Sequence, residues 1–335
     1  MTGERDLISR IRARLPADPS WVRVGIGDDA AVVEAERNTL DVLTTDTLVE
    51  GVHWDPRFCS PSDVGHKALA VNLSDLAAMG AQPRTALLSL SVTRAWAERD
   101  ADAFIEGLAD EARAHGVAVV GGNVAATPGP IAITVTMTGA ARPRRVLTRS
   151  GGRAGDELYV TGSIGAALAG LRWLQAHPTL GDIDAGHDTS SALAECVRRY
   201  RRPEARVRAG RLLASNRVAT ACMDLSDGLA DAVRQVAQAS GTGARIDGTL
   251  LPIPEAAATL FARRGDDPVR TAVEGGDDYE LLVAVPRSRR RALDAVRRLA
   301  RGLPITRIGE LTKAPALVLA RQAGEEPLPV GFAHF

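Results

Sequence analysis

Aspartate recurs in this chain where an apolar run ends or a turn begins: Asp28 and Asp29 in GIGDD, Asp46 in LTTDT, Asp75 in VNLSDLAAM, and Asp224 and Asp227 in CMDLSDGL. One such carboxylate in a turn or at a helix start usually serves the backbone, by accepting N–H groups there. Gathered, they would do something else. Two carboxylates about 4 Å apart repel by roughly 4 kcal/mol at an effective dielectric of 20, so a cluster has to be held by cations. Oxygen donors with no His or Cys among them suit Mg²⁺, which keeps several waters and binds through a few carboxylates together with substrate phosphates. The aspartates therefore point to metal-complexed phosphate, provided the fold brings them together.

Other residues bear on the same site. GIGDDA at 25–30 nearly matches a dinucleotide-binding fingerprint, but that motif must open a helix. Here AAVVE continues as a strand, and two aspartates would face the incoming phosphates. VNLSDLAAMG puts Asn72 and Asp75 three residues apart on a helix, so both can face one site while Leu73, Leu76 and Ala77 pack inward. In DLSDGLADAV, Ser226 or Asp227 is expected to cap the next helix. VVGGN ends a strand in two glycines, which lets backbone N–H groups approach an anion or an adenine ring closely. His53 and Trp54, just beyond Asp46, could border a substrate pocket, although a surface histidine reads the same way. No Ser–His–Asp or Cys–His arrangement, phosphate loop of the GxxxxGK type, or protein-kinase motif set is present.

These residues need a mixed α and β scaffold to hold them. Leu7, Ile8, Ile11 and Leu15 fall at helical spacing. VRVGI, AAVVE and LDVLTT read as strands, 62–79 as a helix ending at Gly80, TALLSLSV as a strand and 96–115 as a helix. VAVV and IAITVTMTGA complete a first half. RPRRVLTRSGGRAGD looks like the passage to a second domain, so the expected division is 1–145 and 146–335. The second half offers ELYVTG, a helix at 165–176, a polar loop HPTLGDIDAGHDTS, two helices to about 215, VATACM, a helix to about 240, and the strand of EGGDDYELLVAVP.

Composition narrows the function. Basic and acidic residues number 41 each, which argues against a broad nucleic-acid surface. Only Lys67 and Lys313 are lysines, so arginine is the main side-chain cation for phosphate. Cys59, Cys196 and Cys222 are widely spaced with no CxxC pair, which fits a reducing cytoplasm and neither a disulfide framework nor a zinc site. The charged N-terminal segment and the lack of a long apolar run give no expectation of a signal peptide or membrane span.

Taken in order, GIGDDAAVV, TTDTLVEGVHW, KALAVNLSDLAAMGA, VVGGN, LTRSG, MDLSDGL, ARID and GGDDYEL resemble the motif series of the thiamine-monophosphate kinase family, over roughly residues 20–285 with a weaker echo at GFAHF. GDDAAV alone would indicate only the wider superfamily of aminoimidazole ribonucleotide synthetase and selenophosphate synthetase. The resemblance implies a two-domain α/β (mixed α+β) fold of the aminoimidazole ribonucleotide synthetase type, with an N-terminal mixed sheet plus helices and a C-terminal α/β domain. It implies a homodimer joined through N-terminal sheets, and ATP with several Mg²⁺ ions transferring the γ-phosphoryl group in line to thiamine monophosphate. A monovalent cation is left open. Carried over by position, the metal set is Asp29, Thr44, Thr45, Asp46, Asp75, Asn123, Asp224 and Asp227, and the nucleotide set is Gly122, Asn123, Arg149, Ser226 and His115. His53, Asp277 and Phe332 fall at substrate positions, and Asp46, Arg149 and Asp224 carry catalysis.

Three positions depart from the family pattern. Asn123 stands where many members have a metal-binding aspartate, Asp277 where glutamate is usual, and His115 where an aromatic residue often borders adenine. Two rivals follow. A selenophosphate synthetase usually carries a reactive Cys or selenocysteine near its N-terminus, and this chain has no cysteine before Cys59. A silent binding module would leave so many retained carboxylates unexplained.

Overall fold

A computed structural model describes residues 4–177 and 191–331. The expected loop beyond His177 and the substrate position Phe332 lie outside the described residues. The chain forms two compact units, the first built on 4–76 and 82–143, the second on 77–81, 144–177 and 191–331.

The first unit opens with α1 (Glu4–Arg14), which buries Leu7 and Ile11 as its helical spacing predicts. A small ribbon of β1 (Val22–Val24) and β2 (Val32–Val33) follows, so GIGDDA leads into a strand and not a helix. The main sheet has the order β3-β6-β4-β5, from β3 (Leu40–Val49), β4 (Gln82–Val92), β5 (Ala118–Ala126) and β6 (Ala132–Ala141). Only β4 and β5 run parallel. Side chains alternate across this sheet. Leu48, Leu88, Leu90, Ile133, Val135 and Met137 form the buried face, while Leu43 and Leu87 stand on the exposed one.

Helix α2 (Pro61–Ala78) and helix α4 (Ala101–His115) lie close together because two glycines permit it. A Cβ at Gly65 would sit 2.0 Å from the Phe104 carbonyl oxygen, and one at Gly107 2.0 Å from that of Ser62. The helix expected over 96–115 is split at Asp100 into α3 (Arg94–Arg99) and α4. Thr93 caps the short piece by accepting from the Trp96 N–H at 3.2 Å, a turn signal that the unbroken apolar spacing hides. Arg10 and Arg14 tie α1 to Asp102 of α4.

The second unit is a seven-stranded sheet ordered β13-β12-β9-β11-β7-β10-β8. Its strands are β7 (Glu157–Thr161), β8 (Ala221–Asp224), β9 (Gly243–Asp247), β10 (Leu281–Val285), β11 (Ile305–Thr312), β12 (Leu317–Arg321) and β13 (Gly324–Pro327). Every residue of β7, β8 and β10 is buried, so these short apolar runs are covered on both faces. The helices are α5 (Ala166–Ala176), α6 (Ser191–Arg201), α7 (Val207–Ser215), α8 (Leu229–Ser240), α9 (Glu255–Arg263), α10 (Pro268–Glu274) and α11 (Arg290–Leu299). Leu229, Val233 and Val236 of α8 join Met223, Leu282 and Ile308 in one core.

Candidate active site

In the first unit the expected metal donors divide by strand parity. Thr44 and Asp46 are two apart on β3 and share the face turned to α2, where the Thr44 hydroxyl donates to the Asp75 carboxylate. Thr45 points the other way: its hydroxyl pairs with that of Thr136 across the strand at 2.9 Å. Its side chain therefore lies on the opposite face from that of Thr44, while its carbonyl stays on the same backbone. Asn72, expected to face the site with Asp75, is fully buried. Its Nδ2 donates to the Ala68 carbonyl at 3.2 Å, and its Oδ1 has no hydrogen-bond partner.

Asp28, Asp29, Gly122 and Asn123 meet elsewhere, around a cavity of about 1170 Å³ bounded by α1, residues 25–31 and the exposed face of the sheet. Thr134, Thr136 and Thr138 supply hydroxyls along one wall. Asp28 accepts from the Asp29 N–H at 2.8 Å, which shapes the turn as the ordinary reading of such residues expects. The two glycines do not end β5, which continues to Ala126 beside β4. Gly122 is required there because a Cβ would fall 1.8 Å from the Leu88 carbonyl oxygen. Its side-chain-free surface also opens onto the cavity.

His53 is held in a defined tautomer. Its Nδ1 accepts from the Val49 N–H at 3.1 Å, so the ring proton sits on Nε2. The turn carrying it is fixed by His53 N–H and Val52 N–H donating to Val49 O, and by the buried Lys67 Nζ donating to His53 O at 3.3 Å. His115 lies in the last turn of α4, where Nε2 is 3.2 Å from Glu111 Oε1. Glu111 also faces His66 Nδ1 at 3.2 Å, so His115 belongs to a helix-to-helix contact and is not among the cavity-lining residues.

In the second unit, the loop leaving β8 and the loop entering β10 lie side by side. Asp277 N–H donates to Ser226 O at 2.7 Å, Tyr279 N–H to Leu225 O at 3.0 Å, and Leu225 N–H to Glu280 O at 2.8 Å. This close approach needs glycine: a Cβ at Gly228 would lie 2.2 Å from Gly275 O, and Gly228 also adopts φ 93°. Asp224, Ser226, Asp227 and Asp277 are thus gathered at one end of the sheet, with Asp224 opposite Leu281 in register. The expectation that Ser226 or Asp227 caps α8 is corrected, because Gly228 takes the cap position and no side chain bonds there. Arg149 donates to Gln235 Oε1, and Gln235 Nε2 donates to Asp231 Oδ2 at 2.6 Å, a chain that orients the guanidinium along α8.

Several buried groups near this end were not singled out by sequence. Asp278 accepts from Gly165 N–H at 2.7 Å and Ala167 N–H at 3.4 Å, capping α5 from the loop entering β10, and burial pushes its carboxyl up to about 8. Glu280 is fully buried and accepts from Arg206 Nε at 2.6 Å and from the Thr161 hydroxyl at 2.7 Å. These residues precede the strand and Tyr279 between them is buried too, so no period-two alternation marks the two carboxylates. Burial pushes the Cys196 thiol up to about 11 and that of Cys222 higher still, so neither serves as a thiolate nucleophile.

Among the described residues no three His, Cys, Asp or Glu side chains stand close enough to hold a metal alone. The oxygen-only donor set nevertheless fits Mg²⁺, which takes only one or two carboxylates and completes its shell with water and substrate phosphates. No described helix is long and apolar enough to cross a membrane.

Comparison with known proteins shows what the whole chain resembles. Residues 27–141 match the family described as AIR synthase related protein, N-terminal domain, and residues 153–321 match its C-terminal domain. Thiamine-monophosphate kinase of Escherichia coli K12 is 39% identical over 315 residues, covering 92% of this chain and 90% of the relative. The crystal structure of thiamine-monophosphate kinase from Stenotrophomonas maltophilia K279a superposes with a TM-score of 0.83 at 35% identity, covering 93% of this chain and 95% of that one. AaThiL, solved in complex with AMPPCP and TMP, gives 0.77 at 31% identity and covers 99% and 97%.

Proposed function

Since this chain belongs to the thiamine-monophosphate kinase family of AIR-synthase-related proteins, we infer that it phosphorylates thiamine monophosphate to thiamine diphosphate with ATP. The observation that carries this reading is likeness over nearly the whole chain to kinases of that name and to AaThiL, solved in complex with AMPPCP and TMP. The selenophosphate and silent-module readings lose their ground accordingly.

The residues divide the work as follows. Thr44, Asp46 and Asp75 on the α2 face of the first sheet, Asp29 and Asn123 at its opposite face, and Asp224 and Asp227 in the second unit offer oxygen donors for several Mg²⁺ ions, with Thr45 contributing through its backbone. Bound Mg²⁺ would supply charge neutralisation at the ATP phosphates. Gly122, Asn123 and Ser226 take the nucleotide, and the Gln235-oriented Arg149 stabilises charge on the transferring phosphoryl group. His53, as an Nε2–H donor, and Asp277 hold the acceptor.

The phosphate of thiamine monophosphate is already a nucleophilic anion, so in-line attack on the γ-phosphorus demands positioning and charge neutralisation more than a general base. The bond formed is from acceptor oxygen to γ-phosphorus, and the bond broken joins that phosphorus to the β,γ-bridging oxygen, which leaves with ADP. We place the enzyme in the cytoplasm, which the three buried free cysteines fit, and as a homodimer. The exposed Leu43 and Leu87 on the open sheet face support pairing there. Chromatography of reactions containing ATP, Mg²⁺ and either thiamine monophosphate or free thiamine tests the activity. Equal amounts of ADP and thiamine diphosphate are expected from the monophosphate alone; ATP binding without thiamine diphosphate would overturn the assignment.

A further inference from the structure

The loop at 275–280 contains two non-glycine residues with left-handed backbones, Asp277 at φ 67° and Tyr279 at φ 50°. Such conformations cost on the order of 1 kcal/mol or more each and persist only where the surroundings over-determine them. Here they do. The backbone bonds to Leu225 and Ser226 fix one side of the loop, the Asp278 carboxyl pins it to α5, and Glu280 anchors it in a buried ion pair with Arg206. The outcome is that Tyr279, itself 7% exposed, directs its hydroxyl to Asp277 Oδ1 at 3.0 Å.

We propose that Tyr279 is a positioning residue that orients the Asp277 carboxylate to accept a hydrogen bond from the aminopyrimidine of the acceptor, making the pair a determinant of acceptor specificity. This rests on the reading of the chain as a thiamine-monophosphate kinase. The chemistry selects the target. An ionised carboxylate is an acceptor only, so it repels the substrate phosphate and matches a donor. Away from its phosphate, thiamine monophosphate offers one N–H donor, the amino group on the pyrimidine; its thiazolium ring offers positive charge but no N–H or O–H. The phenol, donating to one oxygen, fixes the carboxylate plane. Glutamate at 277 would reach one methylene further; the shorter aspartate makes its orientation matter more, and the tyrosine supplies it.

The test compares wild type, Tyr279→Phe and Asp277→Asn with two acceptors, thiamine monophosphate and oxythiamine monophosphate, in which an oxo group replaces the amino group. Loss of a hydrogen bond to a charged group corresponds to roughly ten- to hundred-fold. Tyr279→Phe is therefore expected to raise KM for thiamine monophosphate by about ten-fold with KM for ATP unchanged, and to narrow the preference over the oxo analogue. Asp277→Asn, whose amide can donate as well as accept, is expected to narrow that preference further. Inactive wild type would remove the kinase reading itself. An active wild type whose preference is unchanged in both variants, or a Tyr279→Phe defect that falls equally on ATP and acceptor, would overturn the proposal.

Discussion

Replacing Asp46 or Asp224 by Asn is expected to lower kcat/KM for thiamine monophosphate by about a thousand-fold, at the scale seen when a preorganised charge-stabilising group is removed from a transition state. Parity on β3 puts Asp46 beside Thr44 on the face where Thr44 meets Asp75. In the second unit Asp224 ends β8 at the loop that carries Ser226 and Asp227. Both aspartates lose charge but little volume on becoming asparagine, so the fold should survive and the metal-bound nucleotide should suffer. Raising Mg²⁺ is expected to recover part of the rate by mass action. Steady-state kinetics across a Mg²⁺ series, with circular dichroism as the control for folding, reads the effect. Near-wild-type rates in both variants at limiting Mg²⁺ would remove these residues from the metal set.

The second large effect concerns stability and its dependence on pH. Glu157 is fully buried at the start of β7, where Arg290 Nε donates to it at 2.7 Å and Tyr159 at 2.9 Å, with Arg307 Nε 2.9 Å away. The Arg290 guanidinium, followed by the Tyr159 hydroxyl, holds its carboxyl down from 4.5 to about 2. A folded value below the unfolded one means that the ionised pair stabilises the fold fully above about 4.5, with the contribution draining away as pH falls toward 2. Glu157→Gln is therefore expected to cost about 2 kcal/mol near neutral pH, the scale of a hydrogen bond to a charged group. The gap between variant and wild type should close between those two pH values. Denaturant melts at a series of pH values provide the check; a gap independent of pH would show that packing, and not ionisation, carries the effect.

Much of this architecture was legible because its signals are local. The strand following GIGDDA, the helix over residues 61–78 and the alternating IAITVTMTGA all follow from periodicity within a few residues. The candidate site was less legible wherever a distant partner decides. Glu280 finds Arg206 and Thr161 across 74 and 119 residues of chain, which no local pattern reveals. Gly228 displaces Ser226 and Asp227 from the cap of α8 because the loop must pass against Gly275. Strand β5 runs through its two glycines because β4 is there to pair with it.

Some of the geometry around the site is written locally. Thr44 and Asp46 share a parity that Thr45 does not, and the period of two in β3 already separated them. His115 had Glu111 four residues before it on the same helix, a pairing visible in the sequence. The shuffled C-terminal strands β11 to β13 escaped because polar residues interrupt their short apolar runs, and their order in the sheet is set by long-range pairing.

The measurement that bears most directly on direct phosphoryl transfer is a rapid-quench single turnover with ATP labelled at the γ-phosphate, enzyme in excess and thiamine monophosphate as acceptor. The expected result is label passing from ATP to the terminal phosphate of thiamine diphosphate at one rate, with none retained by the protein at any time. Label accumulating on the protein before product, or appearing only as inorganic phosphate, would contradict it.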